Sequence, residues 1–378
     1  MDKKMKASAA VGEDRISELP DALLHHVLSL LLVDEAVAPC EVEAYLTWDD
    51  YAGEPEEPEP NKYFHSWIQY AVACKVQVLK VVGDYVGSES ELVVPLVSQH
   101  LTNLDVQNVF VDKVSLDFSS CPVLEVLKLK HCGLWVHAFP SLKRLFLVEC
   151  NFPEGYRVRI SAPGVVSLRL HVGRGKTPLL ESMPMLERAC IELSYQCKDQ
   201  CRGCGGDESC EGYHGYPVGS YRSVLLNSLS NAVNLELKDE PKVYIYKRHL
   251  ECCPIFGRLK TLLLDMWCRA IDLHALVRIL QHTPILEELT LQLRSDENFL
   301  NAGRGERKHA RIEQTFACAH LKQVNIECEE KLRVKDKVRQ IVKIFRKSGI
   351  LTEKISFKKI PRPQGCKLTI DVLRDSCL

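Results

Sequence analysis

The chain has 378 residues, of which 46% are hydrophobic and 26% charged, and its formal net charge is −1. The apolar share excludes global disorder and is enough for one large or two ordinary domains. Near-neutrality excludes a chain-wide pull toward nucleic acid or anionic membranes, and no apolar run reaches the roughly 18 residues of a membrane span.

In chain order, residues 1–13 are polar, lack an apolar signal core and are expected to be disordered, which places the protein in the cytoplasm and/or nucleus. The stretch RISELPDALLHHVLSLL (15–31) then predicts a short amphipathic helix. Pro20 suits its first turn, and Leu23, Leu24, Val27, Leu28 and Leu31 share one apolar face. A helix of about three turns is marginal alone and needs a surface to dock on. Residues 41–62 include Asp49, Asp50, Glu54, Glu56, Glu57 and Glu59 among prolines, with no basic residue before Lys62, and read as a solvated linker.

A repeat follows over 63–328. The segments CPVLEVLKLKHCGL, FPSLKRLFLVECNF, APGVVSLRLHV, FGRLKTLLLDMWC and TPILEELTLQL each carry a leading apolar residue, a two-residue gap and an alternating apolar pair. The pairs are Leu104/Val106, Leu127/Leu129, Leu145/Leu147, Leu168/Leu170, Ile191/Leu193, Leu235/Leu237, Leu262/Leu264, Leu289/Leu291 and Val324/Ile326. Alternation of period two makes short strands with one buried face, and most early steps of 18 to 23 residues would bring each strand beside the last. The expected fold is therefore α/β: an irregular leucine-rich-repeat solenoid, a horseshoe of parallel strands and helices. IDLHALVRILQHTP (271–284) reads as a helix ending before Pro284. Later steps of 42–44, 27 and 35 residues imply insertions. Over 331–357, Val334, Val338, Ile341, Val342 and Phe345 share a helical face, Gly349 is a stop, and ILTEKISF follows as a strand. Such a unit would cap the array's end, so 329–378 is expected to be a helix–strand cap.

The 17 cysteines are mostly inside apolar segments and read as buried thiols of a reducing compartment. The densest cluster lies in the Cys/Gly-rich insertion 194–222. There Cys201 and Cys204 have zinc-knuckle spacing, and Cys210 and His214 could complete four ligands, with Cys197 alongside. The second pair follows too closely for easy tetrahedral closure, and a loop is expected there anyway, so an exposed loop over 197–216 and no metal are expected. GRGKTP (173–178) has the tail of a phosphate loop, but Leu170 stands where the first glycine is required, so it reads as a surface turn. No catalytic spacing occurs and no cofactor is expected. Residues 331–367 hold 13 Lys/Arg against Asp336 and Glu353, which reads as a solvated basic face rather than an RNA site.

The opening DRISELPDALLHHVLSLLLVDEAV resembles the first half of a plant F-box, and its place ahead of leucine-rich repeats resembles plant F-box/leucine-rich-repeat proteins. CAHLKQVNIEC with the helix and strand after it is similar to the FBD region of many of them. The resemblance implies a non-enzymatic substrate receptor of an SCF-type ubiquitin ligase, tied through a Skp-family adaptor to a cullin scaffold. By the same resemblance, Ile16, Leu19, Pro20, Leu23, Leu24, Val27, Leu28 and Leu31 would face the adaptor. The second half of the motif, with its basic residues and tryptophan, is missing after Cys40. The 14–40 segment thus reads as a truncated F-box, with weakened adaptor binding or only a scaffold role as the result. The target protein is unknown.

Overall fold

The computed structural model describes residues 41–45, 68–83, 91–92, 96–111, 118–135, 139–194, 196–197, 225–239, 253–265, 273–293, 315–329 and 335–360. The chain divides at Cys40 into two units, and all described residues belong to the second. The 14–40 helix expected from sequence lies outside them.

The second unit is α/β, with few helices and one large parallel sheet. Its strands are β1 (Glu41–Tyr45), β2 (Val78–Val82), β3 (Glu91–Leu92), β4 (Asn103–Gln107), β5 (Phe110–Val111), β6 (Val126–Lys130), β7 (Arg144–Asn151) and β8 (Arg159–Ile160). They continue with β9 (Ser167–Arg174), β10 (Leu179–Leu180), β11 (Arg188–Leu193), β12 (Asn234–Asp239), β13 (Thr261–Asp265), β14 (Glu288–Leu293), β15 (Gln323–Glu329) and β16 (Ile355–Ile360). Twelve of them form a single open sheet in the order β1-β2-β4-β6-β7-β9-β11-β12-β13-β14-β15-β16, each strand beside its predecessor in the chain; β3 pairs with β5 and β8 with β10. Besides a helical stretch over 68–73, the described residues include the helices α1 (His274–Gln281) and α2 (Lys335–Lys347).

Alternation sets the register. Leu79/Val81 stand opposite Leu104/Val106, then Leu127/Leu129, Leu145/Leu147 and Leu168/Leu170. The ladder continues through Leu235/Leu237, Leu262/Leu264, Leu289/Leu291 and Val324/Ile326 to Ile355/Phe357. At β11 the rung is Ala189/Ile191 rather than the expected Ile191/Leu193. The small Ala189 hides the rung in the sequence, and Leu193 extends the ladder opposite Val172. Two residues of slip keep the same face inward, so both assignments bury the same side.

The apolar residue leading each repeat is buried as well: Leu101, Leu124, Leu142, Val165, Leu186, Leu259, Leu286 and Leu321. Just after it, two successive backbone N–H groups converge on one carbonyl, that of the residue immediately ahead of the preceding strand. Glu125 and Val126 donate to Thr102, Lys143 and Arg144 to Glu125, Val166 and Ser167 to Lys143, and Glu187 and Arg188 to Val166. The arrangement persists across the longest step, where Val233 and Asn234 donate to Glu187. A backbone contact repeated at this register marks repeats of one structural unit, not unrelated strands.

Two expectations are corrected at their edges. Residues 41–45, assigned by composition to the acidic linker, pair with β2 as β1; the acidic and proline-rich part begins only after them. Cys197, expected to open an exposed loop, is buried, bridged to Gly175 and with its sulfur 3.4 Å from the Thr177 hydroxyl. The described part of the C-terminal segment holds α2 and then β16. Ile341 and Phe345 of α2 are buried, and the helix ends where Gly349 takes φ +81° and Ile350 N–H donates to the Phe345 carbonyl. That is a glycine stop with a Schellman-type bond.

Candidate interaction surface

The strand positions between the ladder residues point to the other side of the sheet. From β6 to β11 the middle row reads Lys128, Phe146, Arg169, Cys190. The row before it holds Arg144, Ser167 and Arg188; after it Lys130 pairs with Val148 and, past a register shift in β7, His171 pairs with Glu192. Lys128 lies over the Phe146 ring, 5.8 Å from its centre, a cation–π contact that keeps the ammonium at the surface. His171 and Glu192 are 4.0 Å apart. On β12 to β15 the sign reverses: Glu236, Asp265, Glu288 and Glu327 occupy the face, with Lys238 held 2.9 Å from Glu236. One end of the face is thus basic and the other acidic.

Beyond the strands, a left-handed turn recurs. Asn108, His131 and Glu149 have φ of 56°, 53° and 52°. Each is followed by a buried residue: Val109, Cys132 and Cys150. The two thiols reach back to carbonyls of the preceding strand, Cys132 to Val106 at 3.5 Å and Cys150 to Leu129 at 3.3 Å. Burial pushes the Cys132 thiol up to about 11, and the Cys150 thiol is likewise raised by burial. These are structural hydrogen-bond donors, not nucleophiles. The sequence marks them only as buried thiols; their constant place three residues after the second ladder leucine is the signal that points to this role.

The eight expected adaptor-facing residues, Ile16 to Leu31, lie outside the described residues, as do Cys201, Cys204, Cys210 and His214. Cys197 is turned into the core against Thr177. Among the described residues no group of three or more His, Cys, Asp or Glu is placed to hold a metal ion. The GRGKTP segment has a packing role. A Cβ on Gly175, at φ +94°, would lie 1.8 Å from the Phe152 carbonyl oxygen, and Thr177 is fully buried. The expected surface turn is therefore a close crossing of two chain segments, with glycine required by both space and backbone. On α2, Arg339, Lys343, Arg346 and Lys347 are exposed around a shallow groove whose apolar lining is Val338, Val342 and Phe357.

The chain is similar to a meiotic F-box protein, MOF, of Oryza sativa subsp. japonica, with 27% identity over 230 residues. The match covers 54% of this chain and 46% of the relative, so the chain spans less than half of that protein's length. No protein-family model and no solved structure matches the chain.

Proposed function

We propose that the chain is the target-holding subunit of an SCF-type E3 ubiquitin ligase. Its parallel ladder would be an irregular leucine-rich-repeat solenoid, and the target would sit on the charged strand face. The observation that carries this reading is the repeated unit seen at Leu124, Leu127, Leu129, Cys132 and Leu134, all buried. That spacing is the leucine-rich-repeat consensus with cysteine at its hydrogen-bonding position, in a chain similar to a plant F-box protein. The role is one of binding and presentation, not catalysis, and its setting is the cytoplasm and/or nucleus. In this reading Ile16, Leu19, Pro20, Leu23, Leu24, Val27, Leu28 and Leu31 meet a Skp-family adaptor, which joins the chain to a cullin, and 329–378 forms an FBD-like cap.

One observation favours a second reading, a scaffold without ligase coupling. The residues directly after Cys40, where the second half of an F-box would stand, are drawn into the sheet as β1. An adaptor interface lacking that half loses several buried apolar side chains, each about 1.5–3 kcal/mol when fully buried. Adaptor affinity at least about a hundredfold below that of a complete F-box is expected. The test is co-purification and titration with a Skp-family adaptor, on this chain and on one with a basic, tryptophan-containing segment restored after Cys40. Recovery of binding on restoration supports the ligase reading. Absence of binding in both chains leaves the scaffold.

A further inference from the structure

We infer that Arg144, Arg169 and Arg188, with Lys128 beside them, form an anion-binding cluster on the sheet's polar face that grips an extended acidic segment of a bound protein. The inference rests on the proposed function only in taking this face as the place where a target sits. Arg144 and Arg188 are register partners of the same residue, the buried Ser167, one from each side. Arg169 is two residues beyond Ser167 on the same face, between Phe146 and Cys190. None of the three guanidinium groups meets a carboxylate among the described residues. The Arg169 Nε–H is buried and has no hydrogen-bond partner.

A buried, unpartnered donor on a cation is costly to leave unmade and marks a place where an acceptor belongs. The neighbours do not supply one. Cys190 stays a neutral thiol, since burial pushes it up to about 11. Ser167 lies buried beneath the row, and Phe146 offers only its ring, already under Lys128. Of the acids in these rows, Asp105 stands opposite Lys128 and accepts from Gln107, Glu192 faces His171, and Glu236, beyond Cys190, holds Lys238. The cluster is thus four cations on four adjacent strands around an apolar ring, its three guanidinium groups without a carboxylate partner among the described residues.

Geometry narrows the ligand. Adjacent strands are about 4.8 Å apart, so Arg144 and Arg188 stand roughly 10 Å apart across the array. An extended segment of polyproline-II type rises about 3.1 Å per residue with three residues per turn, so two carboxylates three residues apart lie on one side and span about that distance. Arginine's planar fork suits such carboxylates bidentately. A protein segment fits better than RNA, because Phe146 is the one aromatic side chain in the cluster and stacking of successive bases needs several.

The probe is a fluorescein-labelled eight-residue peptide with two glutamates separated by two alanines in a Gly/Ser background. Its twin carries glutamine in place of both. Fluorescence anisotropy with the full chain is expected to show the glutamate probe bound about a hundredfold more tightly, with R144Q and R188Q each weakening it about tenfold. Both side chains are exposed, so their thermal midpoints should not move, whereas R169Q, at a half-buried site, is read only if its melt is unchanged. R346Q on α2 should leave binding unaltered. Equal affinity for both probes, or an equal loss in R346Q, overturns the proposal. So does tighter binding of an oligouridine that the same two variants abolish, which would make the site one for RNA. The R144Q/R188Q chain should behave as the parent in the adaptor titration. Absence of adaptor binding by the parent chain, with its probe binding intact and lost in R144Q/R188Q, would remove the ligase reading and leave this one standing.

Discussion

Between β4 and β11 the chain returns to the next ladder position after 18 to 23 residues, whereas between β11 and β16 the same return takes 27 to 46. The strands and their rungs are alike in both halves, buried except at Phe357 on the last strand; the connections behind them are not. In the early half each crossing brings a few apolar anchors: Phe118 and Cys121 before β6, Phe139 before β7, Met183 and Leu186 before β11. Phe118 and Phe139 stack with ring centres 6.0 Å apart, so neighbouring crossings seal each other. In the late half helices do the sealing. Leu276, Val277, Ile279 and Leu280 of α1 and Ile341 and Phe345 of α2 are buried, and Phe345 meets Phe316 edge-on at 5.6 Å. An eight-residue helix such as α1 would not persist alone. It forms because the ladder offers a surface, which shows that the strands specify the array while the back tolerates different solutions.

The largest expected effect comes from attacking what the halves share. Leu147→Asp and Leu291→Asp each place an unpaired charge at a position with no solvent exposure, at a cost of several kcal/mol. Both variants should lose the cooperative thermal transition seen by circular dichroism. A wild-type melt for either would show that its rung is not buried.

The next test separates the halves. Phe139→Ala removes an anchor from a short crossing and Phe345→Ala one from a helix; both rings are essentially fully buried. Each truncation should cost about 3–5 kcal/mol in urea denaturation. If Phe139→Ala costs under about 1 kcal/mol, the short crossings are loops rather than part of the core.

A smaller effect belongs to the early half alone. Cys132→Ala removes a thiol that reaches the Val106 and Lys130 carbonyls at 3.5 and 3.3 Å. The loss should be about 1 kcal/mol, the worth of an ordinary hydrogen bond. With its thiol held up at about 11 by burial, Cys132 should resist alkylation at neutral pH until the chain unfolds. Rapid labelling of native protein, traced to this residue by peptide mapping, would contradict the assignment.

The ladder was legible because period-two alternation of leucines survives in sequence, as at Leu127/Leu129 and Leu262/Leu264. The rung at Ala189 was not, since alanine carries little apolar signal, and β1 was hidden because its glutamates match a linker's composition. The stop at Gly349 was readable from residue type; the crossing at Gly175 was not, because it depends on Phe152, a neighbour across the sheet. The charged face was the least legible part. Arg144 and Arg188 are 44 positions apart in the chain, and only the register places both beside Ser167.

The smallest effect sharpens the comparison through pH. His131 sits at the left-handed turn after β6, with its Nδ1 3.0 Å from Glu149. Burial lowers its pKa below 6.5, outweighing the attraction of Glu149, while Lys130 and His171 add to the lowering. Sign follows from linkage. The unfolded chain takes up a proton near pH 6.5, before the folded chain does, so the stability that His131 provides is complete above pH 6.5. It is lost as pH falls from there toward the folded value. His131→Asn keeps a side chain that tolerates the left-handed turn and removes the titration. Thermal melts of the parent at pH 7.5 and 5.5 should therefore differ by more than those of the variant. Equal shifts in the two proteins would assign the pH response to groups other than this turn.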